Sequence, residues 1–237
     1  MTLDPHRTVF DALVRHRIVS VAWFFDCDGT LVEFTAPYSE IFVDACLAVG
    51  VARDDAASML DPYNEAFFAA FDDFHPEPYR VGMAAALEDT GLAESIGADA
   101  TALAESLCAT ETTATTVRDG TRETLDALAE RGVDLGVLTN GVAAQQRRKL
   151  EHHGLFDRFE AYLPSYEVGA HKPDPTVFSA ARERLPADEY VYTGDSLDHD
   201  VTPAREAGFR AVHVDHEADG DVATVRDIGA LGGLLAR

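Results

Sequence analysis

The most informative stretch of the chain is Val21-Ala-Trp-Phe-Phe-Asp26-Cys-Asp28-Gly-Thr-Leu-Val32, in which an apolar run changes abruptly into two aspartates and a glycine. Five successive apolar residues are typical of a strand that is covered on both faces in a parallel sheet. Asp26 and Asp28 then follow its carboxyl end, where open α/β sheets bind ligands. Two carboxylates in that position favour a divalent cation as partner. An Asp-Gly turn without any ligand is the alternative.

The rest of the chain divides into a helical insert and a region of alternating patterns. From about 40 to 115 the composition shifts to Ala, Leu, Phe and Glu with helical periodicity, which predicts an all-helical insert. Strands that alternate with helices indicate βαβ units and a parallel sheet. Helices are predicted at 1–17, 121–131, 142–153, 176–185, 203–207 and 228–235, strands at 133–138, 190–193 and 211–214, and a short element at 159–163.

The chain is strongly acidic, with 42 acidic against 19 basic residues and a formal net charge of -23. Binding of a nucleic-acid backbone needs clustered Lys and Arg, so this balance argues against nucleic acid as a partner. It argues equally against anionic membrane surfaces. The acidic residues are dispersed along the chain, which indicates a highly solvated surface of the kind that halophilic proteins use.

Cysteine usage and hydropathy predict a cytoplasmic protein. Three scattered cysteines, Cys27, Cys46 and Cys108, are too few for a disulfide framework, so a reducing compartment is expected. The longest apolar run, Ile18 to Phe25, is interrupted by Ser20 and is much shorter than the ~20 residues of a membrane helix. The N-terminus does not resemble a signal peptide. The sequence leaves the oligomeric state open.

Polar residues follow four separate strands or loops, and in a parallel sheet such ends converge on one edge. Carboxylates from two strands can hold Mg²⁺, and a carboxylate can also attack phosphorus to form an aspartyl-phosphate. A hydroxyl and an ammonium can bind the phosphoryl oxygens, while a second carboxylate exchanges protons with the leaving group and water. The residues concerned are Asp26 and Asp28, Thr139 and Asn140, Lys172, and Asp195 with Asp200.

Asp26-Cys-Asp28-Gly-Thr-Leu31 resembles the first motif of haloacid-dehalogenase-like hydrolases, and the other three sites resemble the remaining motifs of that superfamily in the same order. The resemblance covers residues 21 to about 214. It implies a Rossmann-like core of residues 1–34 and 116–237, with a parallel sheet that has helices on both faces. It also implies an α-helical cap at 35–115, as in the phosphatase-type subfamily I.

The resemblance further implies a role for each residue. Asp26 resembles the nucleophile and a metal ligand, and Asp28 the general acid/base, whose backbone carbonyl also binds the metal. Lys172 resembles the lysine that steadies the charge on Asp26 and the phosphoryl group. The phosphate-binding residues are then Thr139, Asn140 and Gly141, and the remaining Mg²⁺ ligands are Asp195 and, as a supporting residue or through water, Asp200.

The sequence thus predicts a Mg²⁺-dependent phosphohydrolase of small phosphorylated metabolites. A 2-haloacid dehalogenase also needs an aspartate nucleophile, but Asp28 speaks against it: the dehalogenases of this family usually lack that second aspartate, because a halide needs no proton. A phosphosugar mutase, which passes the phosphoryl group to a sugar instead of water, remains open. A catalytically silent binding protein is the alternative from another class, and the intact acid/base set disfavours it.

Substrate choice is expected to lie in the insert. Arg80 is one of few basic residues there and is our candidate for binding the anionic substrate, against the alternative of a surface salt bridge. His75, Tyr79 and Tyr38 are further candidates near the leaving group. An aromatic stripe is expected to form helix core and to end before Pro76 and Pro78; it consists of Phe67, Phe68, Phe71 and Phe74.

Four other polar residues lie beside the motifs. Cys27 is expected to pack away from the pocket, and Asp198 to be an exposed neighbour of the metal site. His171 and His199 either touch substrate or stabilise a loop.

The acidic composition generates one prediction. If the surface is adapted to high salt, the unfolding temperature will rise markedly between low and molar KCl, because salt screens the mutual repulsion of the carboxylates. Thermal unfolding across a KCl series measures this, and equal stability in low and molar salt would refute the adaptation.

Overall fold

The computed structural model of the protein describes residues 19–214, 223–225, 228–229 and 231. The chain divides into two compact units. One is formed by the chain up to Glu33 and from Val117 onward, and the other by the intervening Phe34–Thr116. Each unit has buried apolar clusters of its own. That the intervening unit serves as a cap remains a prediction.

The first unit is built on a six-stranded sheet in which all pairings are parallel. Its strands are β1 (Val21–Phe25), β4 (Asp134–Thr139), β5 (Ala161–Pro164), β6 (Glu189–Gly194), β7 (Arg210–Val214) and β8 (Ala223–Val225). Their order is β5-β4-β1-β6-β7-β8. Strands β2 (Val32–Phe34) and β3 (Thr115–Val117) pair with each other where the chain passes between the units. This pair was not predicted from the sequence, because three residues are too few to show an alternating pattern.

Nine α-helices are described, four in the second unit and five in the first. They are α1 (Tyr38–Ala48), α2 (Arg53–Asp72), α3 (Pro78–Asp89), α4 (Ala100–Thr113), α5 (Thr121–Ala129), α6 (Ala143–His152), α7 (Ser165–Val168), α8 (Pro175–Arg184) and α9 (Thr202–Glu206), with a 3₁₀ turn at Phe156–Arg158 and a π turn at Leu197–Val201. The predicted helices and strands of the first unit that fall on these residues agree with the observed bounds to within two residues.

β1 lies in the middle of the sheet, and its side chains alternate between two apolar layers. Trp23 and Phe25 pack on one face with the cluster that includes Leu125 of α5. Phe24 packs on the other face with the cluster that includes Phe178 of α8. Because both faces are covered by helices, every residue of β1 is buried, and the strand is apolar throughout. The predicted α/β fold is therefore confirmed.

The second unit is a helical cluster, to which each of its four helices contributes a fully buried side chain, namely Phe42, Tyr63, Met83 and Leu103. The predicted aromatic stripe is wrong for Phe68, which is 57% exposed because it is rotated by about 100° around α2 from the packed Phe67. α2 ends before Pro76, as predicted, and Pro78 begins α3, where its missing N–H is not needed.

Two predicted helices lie wholly or largely outside the described residues. The helix at 1–17 is outside them, and of 228–235 only 228, 229 and 231 are described. Among the helices that the structure describes, we find none long and apolar enough to span a membrane.

Gly136 on β4 provides a test of the sheet packing. It lies opposite Phe24 of β1, and a Cβ added there would overlap the Phe24 ring. We expect Gly136→Ala to lower the free energy of unfolding by about 1–3 kcal/mol, the usual cost of overpacking a core. Gly97→Ala is the control, because an added Cβ at that position meets no atom within 4 Å. Urea unfolding measures both variants, and equal midpoints would contradict the expectation.

Candidate active site

Asp26 is held at the end of β1 by the sheet itself. Its N–H donates to the carbonyl of Thr193 on β6 at 2.9 Å, so strand pairing continues one residue past β1. The carbonyl of Cys27 then accepts the N–H groups of a tight turn, and Gly29 adopts a left-handed φ of 78°. A Cβ at Gly29 would overlap the Asp195 carboxylate, so glycine allows two strand ends to approach each other. The Cys27 side chain is fully buried.

The buried ammonium of Lys172 joins two carboxylates. Its Nζ lies 2.9 Å from Asp26 Oδ1 and 2.5 Å from Asp200 Oδ1. It also donates to the Tyr192 hydroxyl at 2.8 Å, and that hydroxyl lies 3.0 Å from Asp200 Oδ1. Burial by itself would lower the pKa of Lys172, but the two carboxylates outweigh it and raise the pKa. The side chain therefore keeps its positive charge although it is 4% exposed.

Three carboxylates converge beside Lys172. Asp26, Asp195 and Asp200 each place one oxygen within 4.8 Å of the others. The Oδ1 atom of Asp26 is buried, and its ion pair with Lys172 lacks hydrogen-bond geometry, so this oxygen has no hydrogen-bond donor among the described residues. Such a set of hard oxygen ligands, with one buried oxygen left unsatisfied, could hold a divalent cation.

The electrostatics of this cluster point the same way. Burial is the main cause that raises the pKa of Asp26 to about 7; Lys172 opposes it, and repulsion from Asp200 and Asp195 adds to it. Burial and then Asp200 likewise raise the pKa of Asp195. A single ammonium therefore does not fully compensate the negative charge, and a bound cation would relieve the repulsion.

Asn140 binds the backbone of Lys172. Its Nδ2 donates to the Lys172 carbonyl at 2.9 Å, and its Oδ1 accepts the Lys172 N–H at 2.7 Å. The side chain thus positions the lysine, while phosphate binding by Asn140 stays a prediction from the resemblance. Thr139, at the end of β4, is 1% exposed and places its hydroxyl 3.5 Å from the Asn140 carbonyl.

Ser165 connects two of the loops. Its hydroxyl accepts the Gly141 N–H at 3.0 Å and lies 2.8 Å from Nδ1 of His171, so His171 stabilises the loop that precedes Lys172. His199 is exposed, and its Nδ1 lies 3.2 Å from the hydroxyl of Ser196 within its own loop. Asp198 is exposed and is not one of the three converging carboxylates.

The Asp28 carboxylate points toward α6. Lys149 Nζ lies 3.0 Å from both of its oxygens, and Gln146 Nε2 donates to Oδ2 at 2.8 Å. The Asp28 side chain is 34% exposed, whereas that of Lys149 is 5% exposed. Among the described residues, Asp28 is not part of the three-carboxylate group. A metal contact through its backbone carbonyl remains a prediction.

The candidate residues of the insert have partners within their own unit. Arg80 pairs with Glu77 at 2.9 Å, and the N–H of Glu77 donates to Nδ1 of His75. The Tyr38 and Tyr79 hydroxyls donate to the buried carboxylate of Glu111 at 2.8 and 2.9 Å. Burial and then Glu111 raise the pKa of both tyrosines, so both remain protonated donors. The substrate role of Arg80 stays a prediction.

Sequence reasoning missed Lys149, Gln146 and Tyr192. Tyr192 carries no sequence signal, because a tyrosine is ordinary in a buried strand. A signal did exist for α6: Gln146 and Lys149 share a helix face with the apolar Leu150, so two polar residues occupy positions that the helical pattern turns toward the core.

Residues 22–208 match the family described as haloacid dehalogenase-like hydrolases. A glyceraldehyde 3-phosphate phosphatase of Methanopyrus kandleri is 40% identical over 93 residues, which cover 38% of this chain and 40% of that protein. A ribulose-1,5-bisphosphate 5-phosphatase of Halopiger xanaduensis is 36% identical over 111 residues, which cover 46% of each protein. The chain thus spans less than half the length of these two curated relatives.

Two solved structures, each 25% identical in sequence, share the fold. A phosphatase of Thermococcus onnurineus has a TM-score of 0.60 over 90% of this chain and 97% of that one. A 2-haloacid dehalogenase of Pseudomonas syringae has a TM-score of 0.66 over 92% and 99%. Because the likeness extends to both kinds of enzyme, it does not choose between their reactions.

The carboxylate cluster predicts how the metal-free protein responds to pH. Asp26 ionises near pH 4 in the unfolded chain but at about 7 in the folded protein, so its ionisation removes stability progressively as the pH rises from 4 to 7. With EDTA present, we therefore expect Asp26→Asn to unfold at a higher temperature than the wild type at pH 8, and at the same temperature below pH 4.

Asp61→Asn is the control for the general loss of one negative charge, because Asp61 is exposed on α2. Thermal unfolding at a series of pH values measures all three proteins. An Asp26→Asn variant that gains no more stability at pH 8 than Asp61→Asn would contradict the repulsion inferred for the cluster.

Proposed function

The chain belongs to the haloacid dehalogenase-like hydrolases, and on that premise we propose that it is a phosphohydrolase of small phosphorylated metabolites. In this proposal Asp26 is the nucleophile and Asp28 the general acid/base. Lys172 steadies the charge on Asp26 and on the phosphoryl group. Similarity to curated phosphatases over two fifths to half of the chain supports the reaction class.

The contact between Lys172 and Asp26 is the observation that carries the proposal. A carboxylate with an ammonium 2.9 Å away, at the end of the central strand, is suited to attack an electrophile. In this proposal the ammonium also donates to an oxygen of the group that Asp26 attacks. Asn140 fixes the backbone of Lys172, so the charge of the lysine ammonium is preorganised at the proposed site of reaction.

Mg²⁺ is the proposed cofactor, held by Asp26, Asp195 and Asp200. Oxygen ligands suit this ion, and the unsatisfied Oδ1 of Asp26 supports the assignment. When bound, Mg²⁺ neutralises charge on the transferred phosphoryl group.

The proposed reaction has two steps. First, a carboxylate oxygen of Asp26 attacks phosphorus, the bond from phosphorus to the leaving oxygen breaks, and Asp28 gives that oxygen a proton. The product is an aspartyl-phosphate and an alcohol. Second, Asp28 takes a proton from water, whose oxygen attacks phosphorus and displaces Asp26. Inorganic phosphate leaves, and both carboxyl groups return to their initial states. The Thr139 hydroxyl and the Gly141 N–H are the proposed ligands of the phosphoryl oxygens.

Dehalogenation is the rival reaction, because a solved dehalogenase shares the fold. A halide leaves as a stable anion and needs no proton. The elaborate fixing of Asp28 by Lys149 and Gln146 would then serve no chemical step. Phosphate ester cleavage uses a proton donor at that position, which favours the phosphohydrolase.

A screen over a panel of phosphorylated metabolites, with and without Mg²⁺, tests the proposal. We expect release of inorganic phosphate that EDTA abolishes and Mg²⁺ restores, and we expect Asp26→Asn to reduce turnover to background, because the nucleophile is lost. Asp61→Asn is again the control and should keep wild-type turnover.

Four outcomes would overturn the proposal. Activity that persists in EDTA would refute the requirement for Mg²⁺, and full activity of Asp26→Asn would refute the assignment of Asp26 as the nucleophile. Release of chloride from 2-chloropropionate without release of phosphate from any ester would identify a dehalogenase. Transfer of phosphate to a second position of a sugar would instead identify a mutase.

A further inference from the structure

Two buried side chains of α6, those of Lys149 and Gln146, bind the Asp28 carboxylate. As whole residues Lys149 and Gln146 are each 4% exposed, yet both have the polar end of the side chain at this carboxylate. Oδ2 receives Gln146 Nε2 at 2.8 Å and Lys149 Nζ at 3.0 Å, whereas Oδ1, among the residues that the structure describes, receives only Lys149 Nζ, also at 3.0 Å. The two oxygens of Asp28 are therefore not equivalent.

Gln146 also binds the loop that follows β4. Gln146 Nε2 also donates to the carbonyl of Asn140 at 3.0 Å. Gly141 leaves the necessary space, because a Cβ at that position would overlap the Gln146 side chain. Leu150, the neighbour of Lys149, is fully buried in the core of the first unit. Both donors are thus fixed by packing as well as by hydrogen bonds.

A gain in folding stability does not by itself explain why Lys149 and Gln146 bind Asp28. Replacing a buried ion pair by apolar residues of similar volume is often neutral or stabilising, because the desolvation cost of the buried charge can exceed the attraction between the partners. Its clear effect is geometric, because three donor contacts from one rigid helix leave the Asp28 carboxylate a single orientation.

We propose that Lys149 and Gln146 are positioning residues, which fix Asp28 so that Oδ1 is the oxygen that exchanges protons with the leaving group and with water. A carboxylate oxygen accepts about two hydrogen bonds. Oδ2 has two donors in this arrangement, while Oδ1 has one and retains capacity for the transferred proton. The inference rests on the proposed phosphohydrolase function and adds α6 to the reaction machinery.

The test compares two phosphate esters that differ in their need for a proton donor. Glycerol 2-phosphate has an alkoxide leaving group that must be protonated, whereas 4-nitrophenolate leaves from 4-nitrophenyl phosphate almost unaided. The measured quantity is kcat/KM, because it reports the first, leaving-group-dependent step.

For Lys149→Met we expect kcat/KM to fall about a hundredfold on glycerol 2-phosphate and only about threefold on 4-nitrophenyl phosphate, since general acid catalysis contributes about 10²–10⁴-fold where it is needed. Gln146→Leu should show the same selectivity with a smaller loss, about tenfold on the alkyl ester. Arg148→Met is the matched control, because Arg148 is an exposed cation on the same helix.

Thermal unfolding checks that each variant folds. If Lys149→Met does not fold, Gln146→Leu replaces it in the test, because that substitution leaves the net charge unchanged and introduces a side chain of similar size. Equal losses on both esters would indicate a merely structural role and overturn the inference. A raised KM with unchanged kcat would also overturn it, because Lys149 would then bind substrate. A wild-type protein inactive on both esters and on the whole metabolite panel would instead overturn the proposed function.

Discussion

A buried ammonium beside three carboxylates is the interaction on which the rest of the site depends. Lys172 meets Asp26 and Asp200 directly, and its charge is what makes a carboxylate tolerable at the end of an apolar strand. Asn140 holds the lysine by both backbone groups, and the Tyr192 hydroxyl contacts its ammonium. Buried ion pairs of this kind contribute little net stability, so stability alone does not account for the contacts that hold this one.

The topology of the sheet explains how residues so distant in sequence meet. β1 lies between β4 and β6, so the strand that ends at Asp26 has the ends of two other strands beside it. All these strands are parallel, so their carboxyl ends share one edge. Close approach also needs missing side chains: a Cβ at Gly29 would overlap Asp195, and one at Gly194 would overlap Asp200. The acidic cluster thus requires its glycines as much as its aspartates.

The sequence predicted those features that rest on periodicity, and it failed where the outcome depends on a single contact. β1 and the helices of the first unit other than α7 were predicted well, because an apolar run and helical spacing are averaged over many residues. The β2–β3 pair was missed because it is too short for a pattern. The prediction that Phe68 is buried was wrong, because a run of aromatic residues does not show which face of a helix is covered. The partners of Asp28 lie 118 and 121 residues away, a distance that only the fold closes.

The candidate residues of the insert differ in how easily they can exchange their hydrogen-bond partners. Tyr38 and Tyr79 donate to the buried Glu111, so moving either hydroxyl would leave a buried carboxylate short of a donor. Arg80 pairs with Glu77 at the surface, where both side chains are substantially exposed and such a pair contributes little. The Arg80 side chain can therefore leave Glu77 at small cost. For this reason the predicted substrate role is easier to reconcile with the contacts of Arg80 than with those of either tyrosine.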